Sequence, residues 1–63
     1  MSDYKERVVT EHTELTDKII LLSAFLESDK FDSVEKKQRY FLIVQHAFMI
    51  KYAEALSERI VLF

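Results

Sequence analysis

The stretch VVTEHTELTDKIILLSAFL, residues 8 to 26, decides the fold of this chain. Its apolar side chains recur at alternating intervals of four and three residues, which is the spacing of one face of an α-helix. The helix 1 seam consists of Val8, His12, Leu15, Ile19, Leu22 and Leu26, with Tyr4 extending it by one turn. Since one helix cannot bury such a seam by itself, the pattern predicts a helix that packs against a second helix.

Downstream, residues 33 to 61 supply that second helix. The seam predicted for it comprises Val34, Gln38, Phe41, Gln45, Met49, Tyr52, Leu56 and Ile60, followed by Phe63. Only the polar stretch of residues 28 to 32 separates the two helical segments, and a connection that short favours antiparallel neighbours. The sequence therefore predicts one all-α domain over residues 1–63, an antiparallel two-helix hairpin with helices at about 3–27 and 33–61.

Each predicted helix begins with the same start signal. Asp3 is followed three residues later by Glu6, and Asp32 is followed in the same way by Glu35. This capping-box spacing places an acceptor beside the unpaired N–H groups of the first turn and an acid at the positive end of the helix dipole. Ser33 is an alternative N-cap for the second helix.

The composition points in the same direction. The chain has 63 residues and contains no Gly, Pro or Cys, which favours long helices with few turns and leaves no thiol for a disulfide or a metal. Chains this short usually need a disulfide, a metal or self-association to be stable. Because neither of the first two is indicated, we expect homodimers or higher oligomers, with the simplest form a four-helix bundle.

A second apolar surface supports self-association. Around the predicted turn, both helices are apolar on nearly their whole circumference, which is typical of helices buried on several sides. The residues assigned to this self-association or partner surface are Ile20, Leu21, Phe25, Tyr40, Ile43, Val44, Ala47 and Ile50. A docking surface for a different protein is the alternative, and a membrane role is disfavoured because flanking Lys and Arg residues are lacking.

The polar residues within the seams allow more than one interpretation. If the hairpin closes around residues 30 and 31, His12 faces Gln45 and Met49, and a buried His–Gln hydrogen bond fixes the register. His46 is assigned to solvent or to a partner. Gln38 and Gln45 are interpreted as determinants of register or oligomeric state, the alternative being that they line a polar ligand cavity.

Basic residues concentrate near the turn. Lys30, Lys36, Lys37 and Arg39 lie beside aromatic residues, an arrangement that can bind phosphates or stack bases. Three acids are interleaved with them, so a solvated helix start is the competing interpretation, and the net charge of −2 is not that of a typical nucleic-acid-binding protein. They are the candidate anion contacts of this chain.

No combination of residues predicts catalysis. We find no Gly-rich phosphate loop, no paired carboxylates and no Ser expected near a credible base, and the spacings of the two histidines do not match a metal site. We therefore expect a non-enzyme without cofactor or metal. The N-terminal residues do not resemble a secretory signal and no segment approaches the ~20 apolar residues of a membrane span, so a cytoplasmic location is expected.

Several residues resemble the pattern of a known group of proteins. They are Tyr4, Arg7, Val8, Val9, Glu14, Leu15, Lys18, Ile19, Leu22, Ala24, Phe25, Leu26, Ser28, Phe31, Gln45, Met49, Tyr52, Leu56, Arg59 and Ile60. The arrangement is similar to that of small, mostly uncharacterised helical-hairpin accessory proteins of tailed phages and prophages. The resemblance implies a phage accessory factor that inhibits or sequesters a host component, and it brings no catalytic residues.

Three functions are consistent with these observations. The first is a phage protein that oligomerises and binds a host protein or a small nucleotide signal belonging to a defence or regulatory system. The second is a nucleic-acid-binding regulatory hairpin dimer, which the net acidic charge does not favour. The third is a small structural or assembly component of a virus particle.

Overall fold

The computed structural model describes residues 3–63 and consists of three helices. They are α1 (Tyr4–Leu26), the short α2 (Asp29–Asp32) and α3 (Lys36–Val61). The predicted all-helical class is confirmed for the described residues, and residues 1 and 2 of the predicted domain lie outside them. No helix within residues 3–63 combines the length and the apolar content needed to cross a membrane.

The start of α1 follows the predicted capping pattern. Asp3 is the N-cap, and its carboxylate accepts hydrogen bonds from the backbone N–H groups of Lys5 (3.0 Å) and Glu6 (3.2 Å). Glu6 lies in the first turn, at the positive end of the helix dipole. The helix then ends at Leu26, within one residue of the predicted end.

The start of α3 differs from the prediction because the connection contains its own helix. Asp32 is the last residue of α2, and the Ser33 hydroxyl donates to the Lys30 carbonyl at 2.7 Å, so neither side chain caps α3. Glu35 occupies the N-cap position and makes no side-chain hydrogen bond there. The second long helix therefore begins at Lys36, three residues later than predicted and without a capping side chain.

The two long helices lie side by side in a rod measuring 46 × 16 × 15 Å. Three contacts fix their alignment: Ser23 with His46, His12 with Ser57, and the Tyr4 ring with the Phe63 ring. Residue numbers fall along α1 as they rise along α3, so the helices run in opposite directions.

The register of this pairing differs from the prediction. The contacts are centred near residues 34 and 35, not 30 and 31, because α2 lengthens the connection on the α3 side. His12 consequently lies opposite Ser57, and the predicted His12–Gln45 hydrogen bond is wrong. The Gln45 amide instead lies 3.8 Å from the Met49 sulfur on its own helix.

The core lies in the half of the rod that is distant from α2. Val8, Leu15 and Leu56 are buried, with exposed fractions of 5, 8 and 2%. Ile19, Met49, Ala53 and Ile60 are partly buried against them. The described residues thus contain three buried apolar side chains, which is a small core for a chain of this length.

The helix 1 seam is confirmed, since none of its residues from Val8 to Leu26 is classed as exposed. The α3 seam was predicted correctly only in part. The inward positions of α3 are Leu42, His46, Met49, Ala53, Leu56 and Ile60, again spaced by four and three. Gln38, Phe41, Gln45 and Tyr52, which were placed in the seam, are exposed, because the neighbouring stripe of α3 faces α1 instead.

Candidate interaction surfaces

The predicted interaction surface is largely exposed. Leu21 is 72% exposed, Tyr40 61%, Ile20 60%, Ile43 53% and Ile50 37%. Ala47 is also exposed, whereas Phe25 and Val44 are half-buried. The outside of this half of the rod is therefore apolar in the isolated chain, as predicted. Large apolar side chains in such numbers are normally covered in a stable protein.

One part of this surface borders a groove between the two long helices. The groove is open, measures about 750 Å³ and is lined by residues of both helices, among them Thr16 and Ile19 of α1 and Ile50 and Ala53 of α3. At about 100° per residue, Ile20, Ile43 and Ala47 lie on the same flanks as these lining residues. We call Ile20, Ile43, Ala47 and Ile50 the groove side.

The opposite side of the rod carries a second apolar stripe. Phe48 lies about 200° around α3 from Ile50, with Phe41 about two turns before Phe48 and Tyr52 about one turn after it. Leu21 lies about 200° around α1 from Ile19, on the matching flank. We call Leu21, Phe41, Phe48 and Tyr52 the aromatic side. The structure therefore divides the predicted surface, because Leu21 does not lie with Ile20 and Ile43.

Most of the aromatic side differs from the surface predicted from the sequence. Phe48 is 69% exposed, Phe41 62% and Tyr52 46%, although Phe41 and Tyr52 were assigned to the seam. The spacing of Phe41, Gln45, Phe48 and Tyr52 is four, three and four, so α3 has two adjacent stripes with the same helical period. The periodicity alone does not tell which of the two faces α1.

Two aromatic contacts complete this surface. The Phe25 ring packs edge-to-face on Phe31, with centroids 6.1 Å apart, and Phe25 is half-buried. The Tyr40 ring meets Phe41 in the same way at 5.0 Å. Tyr40 therefore touches the aromatic side through Phe41, although it lies on the back of α3, about 20° around the helix from Ala47 of the groove side.

The basic residues lie around α2 and the start of α3. Lys30, Lys36 and Lys37 are exposed, and Arg39 is half-buried. Within residues 3–63 the salt bridge that the structure contains is Lys51–Glu54 at 3.4 Å, so these four residues are not neutralised by close ion pairs. The Arg39 Nε is buried and has no hydrogen-bond partner among the described residues.

The groove and the basic residues are at different places. Besides its apolar walls, the groove is lined by Lys51, Glu54 and Glu58, which together carry a net negative charge. A phosphate-bearing ligand is therefore disfavoured in the groove of the isolated chain and favoured near residues 30 to 39.

Both histidines lie between the helices, which corrects two expectations. The Ser23 hydroxyl oxygen is 2.6 Å from the His46 Nε2, so His46 is half-buried and hydrogen bonded and does not face solvent. His12 Nε2 and the Ser57 hydroxyl oxygen are 3.5 Å apart. The expectation that no Ser lies near a base was wrong, although the two pairs join helices and are accompanied by no third catalytic group in the contacts of residues 3–63.

No cluster of three or more metal-ligating side chains occurs among residues 3–63. The described surfaces therefore offer apolar sides, an open groove and a basic cluster as the candidate binding features.

Comparisons with known proteins identify the family. Residues 2–62 match the family model described as Sequestin. The chain is also 43% identical to the uncharacterised 7.5 kDa protein of the denB-rIIB intergenic region of Enterobacteria phage T4, over 100% of this chain and 98% of that protein. No solved structure matches the chain. The predicted resemblance to small phage proteins is confirmed, and the chain belongs to the Sequestin family.

Proposed function

From its membership of the Sequestin family, we propose that this chain is a non-enzymatic phage accessory protein that assembles with copies of itself and sequesters a host component. The observation that carries the proposal is the family match over nearly the whole chain, because the family name denotes sequestration. The component is a host protein or a small nucleotide signal of a defence or regulatory system, and the protein acts in the host cytoplasm.

The unit of assembly in this proposal is the antiparallel helix pair, a single domain spanning residues 1–63. Its accessible surface is 5157 Å², whereas a folded monomer of 7.5 kDa has roughly 4,250 Å² by the usual scaling with mass. The excess is comparable to the roughly 800 Å² that each partner buries in a standard interface. Two copies of this helix pair that pack through their groove sides form a four-helix bundle.

A charge reversal experiment tests this interface. Ile43→Glu places a charge on the groove side and is expected to give monomeric, unfolded or aggregating protein, because a carboxylate cannot be buried there without a partner. Glu14→Lys changes an exposed residue outside both apolar sides and serves as the control. Light scattering should show an intact assembly only for the control. Equal masses for the two variants would place the interface elsewhere.

For the sequestered component, the basic cluster of Lys30, Lys36, Lys37 and Arg39 supports a ligand that carries phosphate or another anion. These side chains make no close ion pairs among the described residues. Anions bind best where cations and unsatisfied N–H groups converge. An assembly doubles the number of such clusters and can hold a small ligand between copies.

The binding of a host component can be tested by thermal shift measurements. The chain is mixed with small-molecule extracts or with protein from host cells. We expect a stoichiometric ligand to raise the melting temperature of the parent chain, since a ligand that binds only the folded state stabilises it. The double variant Lys36→Glu, Lys37→Glu should lose that shift while keeping its assembly. Affinity capture that retrieves no protein, together with extracts that never shift the melting temperature, contradicts the proposal.

The same basic cluster favours one alternative, a nucleic-acid-binding regulator. Binding through Lys30, Lys36, Lys37 and Arg39 would weaken steeply as the salt concentration rises, because it depends on the release of counterions. A gel shift with structured RNA and duplex DNA at low salt decides between the two functions. Absence of any shift at micromolar protein removes this alternative.

A further inference from the structure

The aromatic side remains exposed when the groove side is covered. Phe48 lies about 200° around α3 from Ile50, and Leu21 is similarly separated from Ile19 on α1. A partner that packs over Ile43 and Ile50 therefore cannot also cover Phe48. A dimer built through the groove side alone would present this second apolar stripe on both of its copies.

We propose that the aromatic side (Leu21, Phe41, Phe48 and Tyr52) is a second, separate contact between copies of this chain, so that the assembly contains at least four copies. The inference rests on the proposed function for its first contact, through the groove side. The second contact pairs α3 with α3 of another copy about a two-fold axis.

The exposed area is large enough to need an occupant. The three rings are 46 to 69% exposed, and an aromatic side chain has roughly 150–250 Å² to bury. Together the rings present on the order of 350 Å² to solvent, to which Leu21 adds a side chain that is 72% exposed. A patch of this size is comparable to the largest apolar patch of a typical monomer, which is often a binding site. Two copies meeting here approach the lower range of specific interfaces, and the groove-side contact holds them close together.

The pattern of the stripe indicates that the occupant is a second copy. Phe41, Gln45, Phe48 and Tyr52 follow the four-and-three spacing of a helix-packing seam. In an antiparallel pairing centred between residues 46 and 47, Phe41 meets Tyr52 of the other copy and Gln45 meets Phe48. The stripe is thus complementary to itself, as a two-fold interface requires.

The charges around the stripe limit the contact to one half of the rod. From Tyr40 to Ala53, α3 carries one residue with a formal charge, Lys51, which is paired with Glu54. On the α1 flank, by contrast, the half distant from α2 carries Arg7 and Glu14, both exposed. When two copies are related by a two-fold axis through the centre of the stripe, their apolar halves lie against each other. These charged residues then remain in solvent.

Sedimentation velocity on four proteins tests the inference: the parent chain, Phe48→Glu, Ile43→Glu and the control Arg7→Glu, which changes the same flank at the far end of the rod, outside the stripe. We expect four copies or a larger even number for the parent and the control. Phe48→Glu should fall to two copies, because it retains the groove-side contact. Ile43→Glu should give monomeric, unfolded or aggregating protein, because the aromatic-side contact depends on the groove-side contact to hold the copies close together. Helix content is checked by circular dichroism, and Tyr52→Lys replaces Phe48→Glu if the latter does not fold.

The outcomes separate this inference from the proposed function. If Phe48→Glu keeps the parent mass while Ile43→Glu lowers it, the second contact does not exist and the groove-side contact stands. If only Phe48→Glu lowers the mass, there is one contact, on the aromatic side, and both the inference and the proposed groove-side interface are wrong. A monomeric parent chain overturns both as well.

Discussion

At the scale of single residues, the Ser23–His46 contact is the closest polar link between α1 and α3 in the described part of the chain. It is 2.6 Å long and half-buried, whereas the Ser57–His12 contact is 3.5 Å long and exposed. A well-formed hydrogen bond contributes about 1 kcal/mol net, and its contribution shrinks with distance and exposure to water.

Ser23→Ala should therefore lower the stability by about 1 kcal/mol, because it leaves the His46 nitrogen without its partner. Ser57→Ala, the matched control, should change it by no more than a few tenths of a kcal/mol. Urea denaturation of both variants at equal protein concentration provides the comparison. Equal losses would show that the Ser23–His46 contact has no special role in joining the helices.

Because the core is small, the stability of the helix pair depends strongly on each of its few buried residues. Leu56 is 2% exposed and Leu15 8%. We expect Leu56→Ala or Leu15→Ala to lower the stability by about 2–5 kcal/mol, because each leaves a cavity that two helices cannot fill. Circular dichroism should show a large drop in melting temperature or loss of helix, whereas Leu62→Ala, at an 83% exposed position, should melt like the parent.

At the scale of the elements, the helices themselves were predictable, and their mutual register was not. Helical periodicity and the Asp3 cap are local signals, and they gave α1 to within a residue at either end. The register depends on α2, a one-turn helix of residues 29–32 that has too few residues to show a period. Once α2 shifts the pairing, His46 and Ala53 turn inward, and Phe41 and Tyr52 turn outward.

The candidate surfaces, too, were predictable from the sequence only in part. The distribution of apolar residues around each helix predicted the excess of apolar side chains in the half of the rod near α2. Phe48 was not singled out because its exposure depends on the true inward direction of α3. Leu21 was grouped with Ile20 although the two lie about 100° apart around α1, on opposite sides of its seam. The hydrogen bond of His46 likewise depends on a residue 23 positions away.

The start of α3 offers a prediction at this scale. Glu35 is the N-cap and makes no capping hydrogen bond, and the first turn contains no acid. Glu35→Asp introduces a side chain short enough to accept from the first-turn N–H groups. We expect it to raise the stability by about 0.5–1 kcal/mol, while Asp3→Ala, which removes the existing cap of α1, should lower it by about 1 kcal/mol. Thermal unfolding that ranks the two variants in the reverse order would contradict this assignment of the caps.

At the scale of the whole molecule, the helix pair is an incomplete structure. Its core of three buried residues leaves apolar groups exposed on two sides of a rod 46 Å long. Folding and assembly are therefore expected to be coupled, because in the proposed assembly the helices would gain most of their stabilising contacts from other copies.

The central claim of this account is that the chain is stable only as an assembly, and a dilution series tests it most directly. Helix content by circular dichroism and mass by sedimentation are measured on the same samples, from high concentration down to the lowest that can be detected. The account predicts that helix content and assembly are lost together, with a melting temperature that falls as the protein is diluted. A fully helical monomer whose melting temperature does not depend on concentration would contradict it.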